Sequence, residues 1–439
     1  MDKFIIQGQR KLKGEVPISG AKNAALPLIA AALLTDQECV LDNVPSIEDI
    51  RVLTELLVAL GAEAEFAPGK HRLTVCAKGI SSAQAPSDLA TRMRASFLVT
   101  GPLLARFGEA VAPHPGGCAI GVRPVNVDIK GFVAMGAEVR QENGYYAMRA
   151  GRLQGKRLYL DYPSHTGTEN LLMAACMAEG QTTLTNASGE PEVVGLAACL
   201  SHMGARIWGA GSSVIEVEGV ERLHGFHVRV IPDRIEAGTF AILAAMMGAD
   251  ITLRDVISSH MVPLTQKLTE AGAAIEVLGD TYRILPGEPL LAVEVQTLHF
   301  PGFPTDLQAA LAVALTQAQG TSIIHERVYD NRLLYADELR KMGASVLVSG
   351  QSATILGPTP LHGATVRALD IRSGAAVVLA GLAADGSTEI LDIHHIDRGY
   401  ERVDEKLRAL GAEIWRSTGE KCDDHEGDLT LSTLTEVPR

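Results

Sequence analysis

Apolar and polar positions along this chain follow a pattern that recurs six times. Each recurrence holds an Ala- and Leu-rich stretch at helical spacing with little polar face. The six are "ALPLIAAALL", "SFLVTGPLLARF", "NLLMAACMAEG", "TFAILAAMMGAD", "LQAALAVALTQAQG" and "AVVLAGLAADG". A helix apolar nearly all round predicts burial on most sides. A short strand follows at once, as in "TTLTN", "DITLRDV", "TSIIHERV" and "TEILDI". A second helix then ends in Gly-Ala, with glycines at 61, 136, 204, 272, 343 and 411, spaced by 75, 68, 68, 71 and 68 residues. Glycine there predicts a left-handed cap that turns the chain into the next strand. Each unit reads strand–helix–strand–helix–strands, a βαβαββ-type unit.

A chain of 439 residues exceeds one ordinary core and predicts two domains, hence three units in each. Three sheets with their helices packed inward account for helices this rich in alanine. The first three units end near residue 230, and the fourth opens with "DRIEAGTF". The opening "FIIQGQRKLKGEVPIS" reads as a strand pair that completes the sixth unit. The expected domains are 21–231, and 1–20 plus 232–439, with hinge crossings near 20–22 and 230–233.

Composition narrows the class. Apolar residues make up 46% but aromatics only 4%, so the core is aliphatic. A net charge of −13 argues against a nucleic-acid partner. The start has no apolar signal region, and no apolar run reaches a membrane span. The cysteines at 39, 76, 118, 176, 199 and 422 form no CxxC pair, and His394–His395 has no cysteine near it. Neither a disulfide framework nor a structural zinc is expected. The expectation is a soluble, cytoplasmic protein with no metal and no cofactor; its oligomeric state stays open.

The repeat also acts as a filter, since polar features found in one unit only are candidates for chemistry. Four survive: "SGAKNAALP" at 19–27, "TRMRAS" with "PGGCAIGVRP" between 91 and 124, "PGFPTDLQ" at 301–308, and "DIRSGAA" with "HHIDRGYERVDEKL" between 370 and 407. Lys22 is placed to enter a cleft between domains, and Asn23 is either a helix cap or a cleft residue. Arg92 and Arg94 precede a buried helix, where one can be a plain surface charge. Asp370 and Arg372, Asp397 and Arg398, and Arg332 are read at strand-to-helix junctions. Many cations at matching ends of different units suggest a doubly charged anion carrying phosphate and carboxylate. Asp306 is either an N-terminal cap or a base for a substrate hydroxyl. Cys118, on a glycine-rich segment beside Arg123, reads as an accessible thiol of lowered pKa on a mobile lid. A symmetric scaffold is disfavoured because Lys-Asn, Gly-Gly-Cys and Asp-Arg-Gly-Tyr each occur once. A thiol redox role lacks an adjacent resolving cysteine.

"SGAKNAALP", "PGGCAIGVRPV", "PGFPTDLQA" and "IDRGYERVDEKLRALGA" together make the chain resemble the enolpyruvyl transferases over nearly its whole length. The resemblance implies two inside-out α/β barrel domains of three units each. It implies transfer of the enolpyruvyl group of phosphoenolpyruvate to the 3-hydroxyl of UDP-N-acetylglucosamine, releasing phosphate. Lys22 and Arg398 would hold the phosphate, with Arg94 and Arg123 nearby, and Arg332 and Arg372 the carboxylate. Asn23 would bind the tetrahedral intermediate, Asp306 would take the hydroxyl proton, and Asp370 would help shuttle one. Cys118 would protonate the methylene carbon or form an adduct at C2. The nucleotide sugar would touch Asn23, Arg94, Arg123, Pro124, Val125, Asn126, Ser164, Asp306 and Val328. Two segments depart from the family pattern: "RPVNVDI" replaces the usual "RPVDLHI", and "SHTGTEN" at 164–170 replaces "SVGATEN". Both belong to the nucleotide-contacting part, which keeps a different uridine nucleotide or nucleotide sugar open as acceptor.

Overall fold

The computed structural model describes residues 2–114 and 125–417, so Cys118, Arg123, Pro124 and Cys422 lie outside the described residues. The chain forms a mixed α/β fold with five four-stranded sheets and one three-stranded sheet among the described residues. In the third unit, Arg157–Tyr159 pairs in parallel with Gln181–Thr185, and the hairpin of Arg206–Trp208 and Val214–Glu218 adds antiparallel strands beyond it. The fifth unit repeats this order with Glu294–Gln296, Gly320–His325, Ser352–Gly357 and Ser345–Ser349. In the second unit only an isolated parallel bridge, Gln84 to Val111, stands where the first strand would be.

The opening strand pair divides differently from the sequence expectation. Lys3–Gln7 does complete the sixth unit, lying antiparallel between Ser387–Leu391 and Glu413–Ser417. Lys13–Pro17 instead joins the fourth unit, parallel to Asp250–Arg254. In exchange, His227–Arg229 runs parallel to Glu38–Asp42 of the first unit. An apolar strand pattern is the same whichever sheet receives it, so sequence alone did not separate these two partners.

All six Gly-Ala glycines have positive φ, between 94° and 107°, as their cap role requires. The apolar helices are buried as their patterns demand; every residue of Ile371–Ala383 except Ala383 is buried. The buried apolar side chains form two clusters. The first core runs from Ala21 to Val230, and the second joins Phe4–Ile18 to Ile235–Ile414. In the second core the helices Arg234–Met247, Thr305–Thr316 and Ile371–Ala383 pack on one another. In the first, Thr100–Phe107 packs on His165–Ala175, and Lys22–Ala31 on Pro191–His202.

The chain passes between the cores twice, side by side. Ala21 N donates to Ile231 O at 2.7 Å and Asp233 N to Ser19 O at 2.8 Å. Gly20 is sterically required, because a Cβ there would lie 1.7 Å from Asn43 O. No helix among the described residues is long and apolar enough to cross a membrane.

Candidate active site

A cavity of about 360 Å³ lies between the two cores and is lined from both. Lys22, Asn23, Arg94 and Ser164 come from the first, and Asp306, Val328, Arg332, Asp370, Arg372 and Arg398 from the second. Ten residues singled out from sequence thus meet in one place. Val125 is buried and Asn126 exposed, and neither is in the cavity wall. Asp128, another altered position, is buried and accepts from Asn170 Nδ2 at 2.8 Å. Burial raises its carboxyl pKa against the pull of Asn170 and Arg94. The altered residues that do reach the cavity are His165 and Thr166, beside Ser164.

Each helix start presents its side chain for a local reason. Asn23 is the second residue of Lys22–Ala31, whose N-cap is Ala21, so the capping alternative for Asn23 does not hold. Asp306 likewise follows Thr305, with Pro304 as N-cap, and its carboxylate goes elsewhere. Arg332 Nη2 donates to Asp306 Oδ1 at 2.8 Å, and Arg372 Nε to Asp306 Oδ2 at 3.0 Å. Both guanidiniums are almost fully buried, and Asp306 adds to their charge stability. Arg372 also lies 5.3 Å over the Tyr400 ring, while its buried Nη1 has no hydrogen-bond partner among the described residues. An orphaned cationic donor in a cavity wall invites an anionic ligand. Asp370 is the N-cap of Ile371–Ala383 and accepts from Arg372 N and Ser373 N, in a capping box.

A second constellation gathers Lys22 and Arg398, both read from sequence, around a carboxylate that was not. Asp49, in the first turn of Glu48–Leu60, accepts from Lys22 Nζ at 2.9 Å and from Arg398 Nε at 2.8 Å. Burial works most strongly against its charge, yet Lys22 and Arg398 outweigh it and hold the carboxyl below its usual 3.8. Arg398 is not at a strand-to-helix junction as expected; it caps the C-terminal end of the single turn His394–Asp397. Asp397 pairs with exposed Arg416, and Arg92 with Glu48, so neither belongs to the cavity wall.

A third constellation, also missed, joins the cores at the cavity edge. Arg234 Nε donates to Glu192 Oε1 at 3.0 Å and Nη2 to Glu190 Oε2 at 2.6 Å. Glu190 Oε1 also accepts from Phe300 N at 3.1 Å. Nearby, His165 Nε2 is 3.1 Å from the buried Glu169 carboxylate. Burial alone would lower the imidazole pKa, but Glu169, with Glu192 and Glu190 behind it, pushes it up to about 9. A His raised this way adds stability fully below its ordinary 6.5, which is lost as pH rises through about 9. An NMR titration of the ring should find His165 protonated at neutral pH; a midpoint near the ordinary value would contradict the pairing.

Comparison with known proteins agrees with this geometry. Residues 6–407 match the family model described as EPSP synthase (3-phosphoshikimate 1-carboxyvinyltransferase). A relative from Caldanaerobacter subterraneus subsp. tengcongensis, named UDP-N-acetylglucosamine 1-carboxyvinyltransferase 1, is 49% identical over 94% of this chain and 99% of its own. One of that activity name from Koribacter versatilis is 48% identical over 95% of this chain and 96% of its own. Among solved structures, the enolpyruvyl transferase NikO from Streptomyces tendae superposes with a TM-score of 0.87 at 28% identity, covering 95% of this chain and 99% of that one. EPSP synthase from Acinetobacter baumannii, at 21% identity and a TM-score of 0.74 over 95% of this chain and all of that one, shares the fold. The chain therefore belongs to the EPSP synthase (3-phosphoshikimate 1-carboxyvinyltransferase) family and is an enzyme of the enolpyruvyl transferase class.

Proposed function

We propose that the protein transfers the enolpyruvyl group of phosphoenolpyruvate to the 3-hydroxyl of UDP-N-acetylglucosamine and releases phosphate, the step that commits the sugar to peptidoglycan. One observation carries the reading. Two cation pairs, Lys22 with Arg398 and Arg332 with Arg372, converge on one cavity, and each pair is held by a carboxylate. A small ligand with a phosphate at one end and a carboxylate at the other matches that arrangement, and forked donors suit both groups.

In this reading Asp306 takes the proton from the sugar hydroxyl as its oxygen bonds to C2 of phosphoenolpyruvate. The methylene carbon gains a proton in the same addition, for which Cys118 is the proposed acid. Asn23 binds the resulting tetrahedral intermediate, and Asp370 helps move the proton that leaves the methyl carbon. The C2–O bond to phosphate then breaks, and Lys22, Arg398, Arg94 and Arg123 take up the charge on the departing oxygen. Ser164, Val328, Pro124, Val125 and Asn126 are proposed to face the nucleotide sugar. The two cores are read as two inside-out α/β barrel domains, 21–231 and 1–20 plus 232–439, hinged at the paired crossings near 20–22 and 230–233. The proposed substrates are cytoplasmic metabolites, so the reaction belongs in the cytoplasm.

The test is release of phosphate from phosphoenolpyruvate that depends on UDP-N-acetylglucosamine. Because His165 and Thr166 replace the usual residues in the cavity wall, other uridine nucleotides and nucleotide sugars belong in the same assay. Release with one of those alone would change the acceptor and keep the chemistry. Cys118→Ser should abolish turnover, while Cys118→Asp should retain a measurable part, because a carboxylic acid still donates a proton. Loss in both variants would favour an obligatory thiol adduct over simple acid catalysis.

A further inference from the structure

Asp49 is the anion around which Lys22 and Arg398 are gathered. Lys22 and Asp49 stand on helices of the first core, Arg398 at a turn packed on the second. All three line the cavity, and their side chains are only 11%, 5% and 17% exposed. Two buried cations brought together without an anion repel each other and have lost their hydration. The Asp49 carboxylate removes both costs, and by accepting from Arg398 Nε it also fixes the plane of that guanidinium. Its carboxyl stays ionised because the two cations outweigh its burial.

We propose that Asp49 is a positioning residue that stands in for phosphate: it holds Lys22 and Arg398 together across the two cores when no phosphate is bound, and shares them when phosphate arrives. This rests on the enolpyruvyl-transfer reading, in which those two cations receive the phosphate. The consequence is a moderated grip. With Asp49 the three side chains carry one net positive charge rather than two, so they hold a phosphate dianion less tightly and let the product leave. The carboxylate acts through its two partners and not on the reacting atoms.

Inhibition of the full-length enzyme by inorganic phosphate tests this directly. Asp49→Asn keeps the shape, removes the charge, and turns an N–H donor toward a cation. Its inhibition constant for phosphate should fall about tenfold or more, because phosphate now meets two closely placed cations that have lost the Asp49 charge between them. The KM for phosphoenolpyruvate should fall with it and kcat should drop as phosphate leaves more slowly, while the KM for the acceptor stays within about twofold. Asp49→Glu restores the charge and should return the phosphate constant toward that of the unmodified enzyme. An unchanged constant in Asp49→Asn would reduce Asp49 to packing, a weaker one would make it a preorganiser of the phosphate grip, and either overturns the proposal. Should Asp49→Asn fold poorly, Lys22→Met combined with it removes one of the two repelling cations and should melt at higher temperature than the single variant. A double variant no more stable than the single one also counts against the proposal. If the underlying reading fails, the unmodified protein releases no phosphate from phosphoenolpyruvate, whereas calorimetric binding of inorganic phosphate to Asp49→Asn still decides the role of Asp49.

Discussion

Asp306→Asn is expected to lower kcat by about 10²–10⁴-fold, the range that a positioned general base contributes. Asp306 reaches into the cavity between two buried guanidiniums, neither of which can accept a proton. Asparagine keeps the side-chain shape but has one carbonyl oxygen, so it satisfies Arg332 or Arg372 and not both. Phosphoenolpyruvate offers a carboxylate to the partner left over, which limits the loss in binding. The KM for phosphoenolpyruvate should therefore change by less than about tenfold, and the loss should fall on kcat. Steady-state kinetics over a pH series separates the two effects. A variant with kcat within about threefold of the unmodified enzyme would remove Asp306 from the role of base.

Arg234→Met is expected to cost about 3–5 kcal/mol of stability, because it leaves Glu190 and Glu192 buried without their cation. In the unmodified protein burial acts first to raise the Glu192 pKa, but Arg234 and His165 prevail and hold it below 4.5. Stability from this pair is thus present at neutral pH and is lost as pH falls through that lowered value. In the variant His165 alone among the nearby cations still opposes burial of Glu192, the carboxyl pKa values move up, and protonation relieves part of the cost. The deficit should be largest near neutral pH and should shrink in acid. Thermal or denaturant unfolding at several pH values reads this, and Glu192→Gln added to Arg234→Met should recover part of the loss. A deficit that is small and independent of pH would show that the pair is only surface-like.

Much of the fold was legible because the repeat is written in residues with a backbone reason. The six Gly-Ala glycines require positive φ, and the Ala-rich helices have no polar face to expose. Which unit receives Lys13–Pro17 and which receives His227–Arg229 was not legible, since both strands are short and pair only in parallel at an edge. The cations of the site were readable because each breaks the repeat. Asp49, Glu190 and Glu192 were hidden by the same filter. Acids recur at the start of the second helix, at Asp49, Asp128, Glu192, Glu338 and Asp404, where they also suit the helix dipole. One signal was available. Asp49 and Glu192 both stand twelve residues before the glycine that ends their helix, and each meets an arginine from the other core. Position within the repeat, rather than departure from it, would have marked them.

The central claim is the identity of the bond made in the cavity. Phosphoenolpyruvate labelled in its methylene carbon, incubated with UDP-N-acetylglucosamine and the purified enzyme, should give a product whose vinyl ether NMR signals correlate with carbon 3 of the sugar. Phosphate should appear in equal amount. Unlabelled sugar with phosphoenolpyruvate intact, or a label attached at any other oxygen, would contradict the account.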